Sequence, residues 1–356
     1  MNLMFYKVTP LSVLFFRDTR PFLAGEQSLA RLNFPPGISP FLGALRTKYL
    51  EIKSSKEKKS ISQLFREGVA GELENISIFW FSFFKDENPI LPMPCDAFSS
   101  WKRLSVEKFV FENEIRENTL VPIKKEKQIS KKETSYLSLK GFLQYTRGLR
   151  PSSEEIIPAS ELYQIENRVG LTLTKDTKTS ERSKFYRMSV ARLKKGVGFL
   201  VGVEMEDNVL PEKFTTRLGG EGHIAIWEMI ESTTVSKSSA RFDGLVALTL
   251  IPIKKDRDGQ YEIKNWCVNK LDAISGWDYK ENRAKPLVKA LKPGSVLLVK
   301  PINEPNPEVY KIKFNNENTT EVIKNLSLSV NHGKPKLSKF HPQLNEPEAL
   351  LVVKKQ

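Results

Sequence analysis

Cysteine is nearly absent. Two occur in 356 residues, Cys95 and Cys267, far apart and outside any C-x-x-C spacing. That argues against a disulfide framework and a cysteine-based zinc site. Histidine is scarce as well: His223, His332 and His341 are too scattered for recognisable metal-ligand spacing. No apolar run approaches the roughly 18 residues of a membrane span. The N-terminus lacks a basic region followed by an uninterrupted apolar core and a small-residue cleavage site. The expectation is a cytoplasmic chain with no membrane partner, no metal and no cofactor. A Ser-His-Asp elbow, a paired-carboxylate context and an H-E-x-x-H motif are all missing, so the sequence advertises no chemistry. Asp256 and Asp258 begin like a calcium loop but lack the remaining ligands, and a hairpin turn is the better reading.

Acidic residues are outnumbered: 56 Lys+Arg against 42 Asp+Glu give a net charge of +14 and a pI near 9.5. Two readings fit: an acidic partner, such as nucleic acid or an anionic membrane, or a lysine-rich solvated surface. The chain is 40% hydrophobic and 28% charged, long enough for two domains, and not disordered by composition.

The stretch from Val13 to Arg46 is the most informative. An apolar segment, Val-Leu-Phe-Phe, runs into Arg17-Asp18-Thr19-Arg20, and Phe34-Pro-Pro-Gly then launches Ser39-Pro-Phe-Leu-Gly-Ala-Leu-Arg46. Leu3–Phe16 reads as a buried strand with a break at Thr9-Pro10. Ser39 reads as an N-cap, Pro40 as the first helical residue, and Phe41, Leu42, Leu45 and Tyr49 recur at helical spacing. Residues 51–60 read as a solvated loop or helix extension. A second helix is expected over Ser62–Leu73 and a buried strand over Ile76–Phe84.

Pro89 opens a long region, to about Ala159, that reads as irregular. Its middle, Val121–Arg150, holds eight basic and two acidic residues, interleaved with Tyr136, Phe142 and Tyr145. Such a segment either tracks phosphates and stacks on bases, or folds its aromatics back onto the core. Arg168–Lys195 is basic again, nine to two. Phe199–Met205 reads as a strand, Leu210–Arg217 as a short helix, and His223–Ile230 as a strand. Ala240–Ile253, Tyr261–Val268 and the end of Val288–Pro301 are β-like. The mixture predicts an α+β fold.

Gly219-Gly220-Glu221-Gly222 is the sharpest local feature. Clustered glycines let backbone amides approach a phosphate or base closely, and a plain tight turn is the alternative. The loop is neither a Walker A loop nor a dinucleotide fingerprint, since no Gly-Lys-Ser/Thr follows and it opens a strand. His223 beside it reads as an RNA contact, a general base or a surface histidine at a strand start.

Taken together, these motifs resemble the RAMP subunit that holds the 5′ handle of crRNA in type III-B (Cmr) CRISPR effector complexes. The resemblance rests on Pro10–Phe22, Phe34-Pro-Pro with Gly43-Ala-Leu-Arg46, and Arg168-Val-Gly-Leu-Thr-Leu. Phe185-Tyr-Arg187, Leu218-Gly-Gly-Glu-Gly222, Ile274-Ser-Gly-Trp277 and Lys292-Pro-Gly-Ser295 continue it along most of the chain. It implies two ferredoxin-like (RNA-recognition-motif-like) folds, over 1–231 with a basic insertion around 89–160, and over 232–356. It also implies crRNA as ligand and, as partners, a large cyclase-type subunit and the backbone RAMP subunits, with no nuclease activity.

On that resemblance, the expected RNA-binding residues are Arg17, Arg20, Arg46, Arg147, Arg150, Arg168, Tyr186, Arg187, Arg192 and Arg217. Gly219, Gly220, Gly222 and His223 complete the set. Asp18 is expected to orient Arg17 or Arg20, and Trp277 to be core. Arg17 and Arg46 have an alternative use in holding the strand end and helix together. Thr19 stands where the family pattern has glycine, and His223 where arginine is usual. A histidine is largely uncharged near neutral pH, which weakens a permanent phosphate contact. The competing class is a metal-independent crRNA-processing endoribonuclease, for which His223 is the sole plausible base. A protein scaffold without RNA contact is the third.

Overall fold

The computed structural model describes residues 2–18, 29–86, 88–95, 97, 104–111, 114–122, 134–149, 151–173, 180–231, 233–239, 244–252, 261–268, 271–275, 277–278, 283–301, 308–314, 318–323, 328–329 and 351–354. The chain opens with β1 (Asn2–Pro10) and a two-residue β2 (Leu29–Ala30). Three helices follow: α1 (Ser39–Glu57), α2 (Ile61–Arg66) and α3 (Val69–Glu74). Next come β3 (Ser77–Lys85), β4 (Asn88–Pro92), β5 (Leu104–Phe111), β6 (Glu114–Pro122) and β7 (Ser135–Ser138), then α4 (Leu139–Thr146). The first half ends with β8 (Ile156–Pro158), β9 (Tyr163–Leu173), β10 (Ser180–Leu193), β11 (Val197–Met205), β12 (Lys213–Arg217) and β13 (Ile224–Ile230).

Eight strands form one sheet in the order β12-β13-β1-β11-β3-β4-β7-β8, every pair antiparallel. β11 lies between β1 and β3. It is buried at every position, as its near-continuous apolar sequence requires of a strand covered on both faces. One face carries α1. Phe41, fully buried, meets Phe81, Phe199 and Trp227 with ring centroids 4.8, 5.0 and 6.2 Å away. Burying such a ring contributes about 2–3 kcal/mol.

The other face is closed by a second antiparallel-rich sheet from the C-terminal half, through the strand Glu308–Phe314. Phe314 packs against Phe5 and Trp80 at 5.6 and 5.1 Å. A register shift between Gly202 and Val203 leaves Phe79 without a paired partner on β11, and its ring stacks on Tyr310 at 5.1 Å. Gly202 makes the room: a Cβ there would lie 2.8 Å from the Phe79 ring. Within this contact the Glu204 carboxylate is buried. It accepts a hydrogen bond from Tyr310 Oη at 2.9 Å and lies 3.3 Å from Lys237 Nζ. Among the described residues after Ile230 there is no helix, so helices of a second ferredoxin-like fold are not found there.

Several expectations are corrected. β1 stops at Pro10, and residues 13–17 continue as an extended segment held by isolated bridges rather than by the main sheet. The helix beginning at Ser39 runs to Glu57, so of the two readings of 51–60 the helix extension holds, while its N-cap is Ile38, not Ser39. The helix expected over Ser62–Leu73 is two helices, broken at Gly68, whose φ of 94° no helix allows. The region from Pro89 is not irregular: its described residues form the five strands β4 to β8, α4 and a short 3-10 turn over Ser153–Glu155. Leu210–Arg217 is not a helix. Its second half is edge strand β12, whose Phe214 stacks on Trp227 of β13. Asp256–Gly259 lies outside the described residues.

Candidate nucleic-acid interface

The segment Leu11–Asp18 is the hub of the site, because three separate parts of the chain bond to its backbone. Leu14 exchanges both backbone hydrogen bonds with Ala191 of β10, at 2.7 and 2.8 Å. Asn33 N–H donates to Phe16 O at 2.7 Å and Asp18 N–H to Arg31 O at 3.1 Å, placing 31–33 alongside. Gly220 N–H donates to Phe15 O at 2.8 Å. Apolar side chains anchor the hub below: Val13, Phe15 and Val190 form a small separate core, while Phe16 stacks near Phe34 and Phe41.

The glycine-rich loop joins β12 to β13, closed by Leu218 N–H donating to His223 O at 2.7 Å. Gly219 and Gly222 have φ of 77° and 69°, and even Glu221 is left-handed at 61°. A Cβ on Gly219 would fall 2.5 Å from Phe15 O. The close approach that Gly219 permits is therefore to the chain's own hub. Gly220 is tied to the same carbonyl, whereas a Cβ on Gly222 would meet nothing within 4 Å. Of the three glycines singled out from the sequence, Gly222 alone faces open space.

Around this hub stand several of the expected cations. Arg17 is exposed and bridges Leu32 through its backbone. Arg217, also exposed, ends β12 opposite Ile224. His223 is half-buried, its Nδ1 3.0 Å from Ser12 Oγ. Arg187 is exposed on β10, opposite Val169 of β9 and beside Leu29 of β2. Strand alternation places Arg187 on one face of the β9–β10 hairpin and Arg168 and Arg192 on the other. Those two share Glu166, whose carboxylate Arg168 meets at 3.2 Å and Arg192 grips with two nitrogens. Hydrogen bonding by Arg192 first, then Gln164 and Arg168, holds Glu166 down to about 2.

Other expected residues are elsewhere. Arg46 Nε–H donates to Leu73 O at 2.9 Å, tying α1 to the end of α3. Arg147 is the C-cap of α4, which follows β7, five positions along the sheet from β13. Arg20 and Arg150 lie outside the described residues, as does Thr19; of Tyr186 only the backbone is described, paired with Gly170. Tyr136, Phe142 and Tyr145 are buried, so they supply core and not a stacking surface.

The sequence model of the CRISPR-associated protein family Cas_Cmr3 matches residues 6–322, most of the chain. The chain belongs to the Cas_Cmr3 family. No curated protein matches its sequence. Its fold is similar to a chain of the type III-B Cmr-beta bound to cognate target RNA, solved by cryo-EM. The TM-score is 0.52, with 15% identity over 83% of this chain and 86% of that one. A second cryo-EM structure of Cmr-beta, with cognate target RNA and AMPPnP, gives a TM-score of 0.51 and 17% identity over the same shares.

For this Cas_Cmr3 chain, sequence reasoning passed over two residues that the fold brings to the hub. Arg31, exposed, supplies the carbonyl that fixes Asp18, and so lies next to Arg17. Ser12 holds the ring of His223 across 211 residues of sequence. A basic residue flanked by Ala30 and Leu32 carried a weak strand signal. Nothing in the sequence could pair Ser12 with His223.

Proposed function

We propose that this Cas_Cmr3 chain is a non-catalytic subunit of a type III-B RNA-guided effector complex. It binds the 5′ handle of crRNA at the Leu11–Asp18 hub and docks on the large cyclase-type subunit and the backbone RAMP subunits. The observation that carries this reading is the convergence of Arg17, Arg187, Arg217 and His223 around one backbone hub in a chain of this family. Exposed arginines from three parts of the chain, Arg17, Arg187 and Arg217, suit a flexible polyanion better than a small enclosed substrate. The order β13-β1-β11-β3, with α1 crossing between β1 and β3, supports a ferredoxin-like unit within 1–231. Residues 232–356 form the second unit.

Binding of the full-length chain to CRISPR-repeat RNA tests the reading. Replacing Arg17 and Arg217 together by alanine is expected to weaken binding about tenfold and to flatten the salt dependence by about one unit for each phosphate no longer neutralised. Unchanged affinity and slope would refute the site. Co-purification with a large cyclase-type subunit and crRNA tests the assembly. Specific cleavage of repeat RNA in EDTA, abolished by His223→Ala, would establish the endoribonuclease alternative instead.

A further inference from the structure

Ser12 has one hydroxyl proton and two neighbours competing for it. Its Oγ lies 3.3 Å from the carbonyl of Val13 and 3.0 Å from Nδ1 of His223. Val13 is 2% exposed, and among the described residues the Ser12 hydroxyl is the donor that reaches its carbonyl. A buried carbonyl left without a donor costs about 1–3 kcal/mol in general, whereas Ser12 Oγ can also serve as an acceptor. The Ser12 proton therefore goes to Val13 O, and Nδ1–H of His223 donates to Ser12 Oγ. In the neutral ring that leaves Nε2 as a bare lone pair. Among the described residues, Nε2 has no partner.

An acceptor nitrogen is a poor place for a phosphate, which at neutral pH offers acceptors and not donors. It suits a nucleoside, whose O–H or N–H can donate to the ring.

We infer that His223 is a specificity-determining residue whose Nε2 accepts a hydrogen bond from a nucleoside donor, a ribose 2′-hydroxyl or a base N–H, and is not a phosphate contact. The inference rests on the RNA-binding reading above. It departs from the arginine usual at this position in the family pattern, which can only donate.

The test is fluorescence anisotropy at pH 8 with the full-length chain and a CRISPR-repeat RNA, against the same sequence made of 2′-deoxynucleotides with deoxyuridine. His223→Phe keeps a flat ring without the acceptor, and His223→Gln restores an acceptor oxygen. The Phe variant should bind RNA about 3- to 10-fold more weakly, the size of one neutral hydrogen bond. The Gln variant should recover most of that affinity, and neither should change the salt slope, because the same phosphates stay neutralised. If the donor is the 2′-hydroxyl, the wild-type advantage over Phe vanishes on the deoxy strand; if it is a base N–H, the advantage persists. Equal weakening in Phe and Gln, unchanged binding in Phe, or a flatter salt slope would each overturn the inference while leaving RNA binding intact. Failure of the wild-type chain to bind either strand would instead remove the RNA-binding reading, and this inference with it.

Discussion

Single residues in the hub divide between making the surface and presenting it. Gly219 shows the division most sharply, since its position is fixed by a left-handed φ of 77° and by Phe15 O lying where a Cβ would go. Alanine there meets both obstacles. Gly219→Ala is expected to destabilise the chain by about 1–3 kcal/mol, read as a lower urea midpoint, with RNA binding abolished as the loop detaches from Phe15. Gly222→Ala provides the contrast: its φ of 69° is strained but its surroundings are open, so it should cost about 1 kcal/mol. Equal effects would mean that the packing against Phe15 contributes nothing. Arg46 carries a related lesson. Arginine in a basic sequence reads as a ligand for anions, yet here its Nε–H donates to the chain's own Leu73 O.

Among elements, the β9–β10 hairpin is the one whose charge depends on its own geometry. Glu166 lies between the exposed Arg168 and Arg192, so the trio carries a net charge of only one instead of two. The Glu166 carboxyl is held at about 2, chiefly by hydrogen bonding from Arg192, well below the ordinary carboxylate range. A lowered folded-state value means the contribution is fully present above about pH 4.5 and is lost as the pH falls toward 2. An NMR titration of the side-chain carboxyl should place its midpoint near 2 in the native protein. In Arg192→Ala it should return toward the ordinary range. A wild-type midpoint near 4 would mean that the bridge is not formed in solution. Elements also settled the aromatic question. Tyr136 is on β7, and Phe142 and Tyr145 are on α4; all three are buried, leaving the lysines of 123–132 outside the described residues.

Across the whole molecule, the two halves share a core. Phe79 stacks on Tyr310, Phe314 fits between Phe5 and Trp80, and Glu204 joins Tyr310 and Lys237. Described residues on both sides of 231/232 therefore pack into one buried cluster. Removing the Glu204 carboxylate takes away the buried acceptor of the 2.9 Å hydrogen bond from Tyr310 Oη, while the Lys237 side chain is one-third exposed to water. Glu204→Ala is accordingly expected to cost about 1–3 kcal/mol in one cooperative transition monitored on both halves. Two separate transitions, with only the first half shifted, would show the halves to be energetically independent.

The sequence by itself determined the elements whose signals are local. Helix α1 declares itself through Pro40 and the spacing of Phe41, Leu45 and Tyr49, and β3 and β11 through continuous apolar runs that only a doubly covered sheet can bury. It also placed Arg17, Arg217, the glycine loop and His223 among the candidates. What only the tertiary structure decided is which of them share a surface. The bond from Gly220 to Phe15, the pairing of Leu14 with Ala191 and the contact of Ser12 with His223 each span at least 177 residues. Such contacts follow from how the strands are ordered in space, and no local propensity encodes that order. The same fact separates Arg46 from Arg17: both are arginines near one helix and one strand end, and only the fold sends the first to a carbonyl at the end of α3 and keeps the second at the hub.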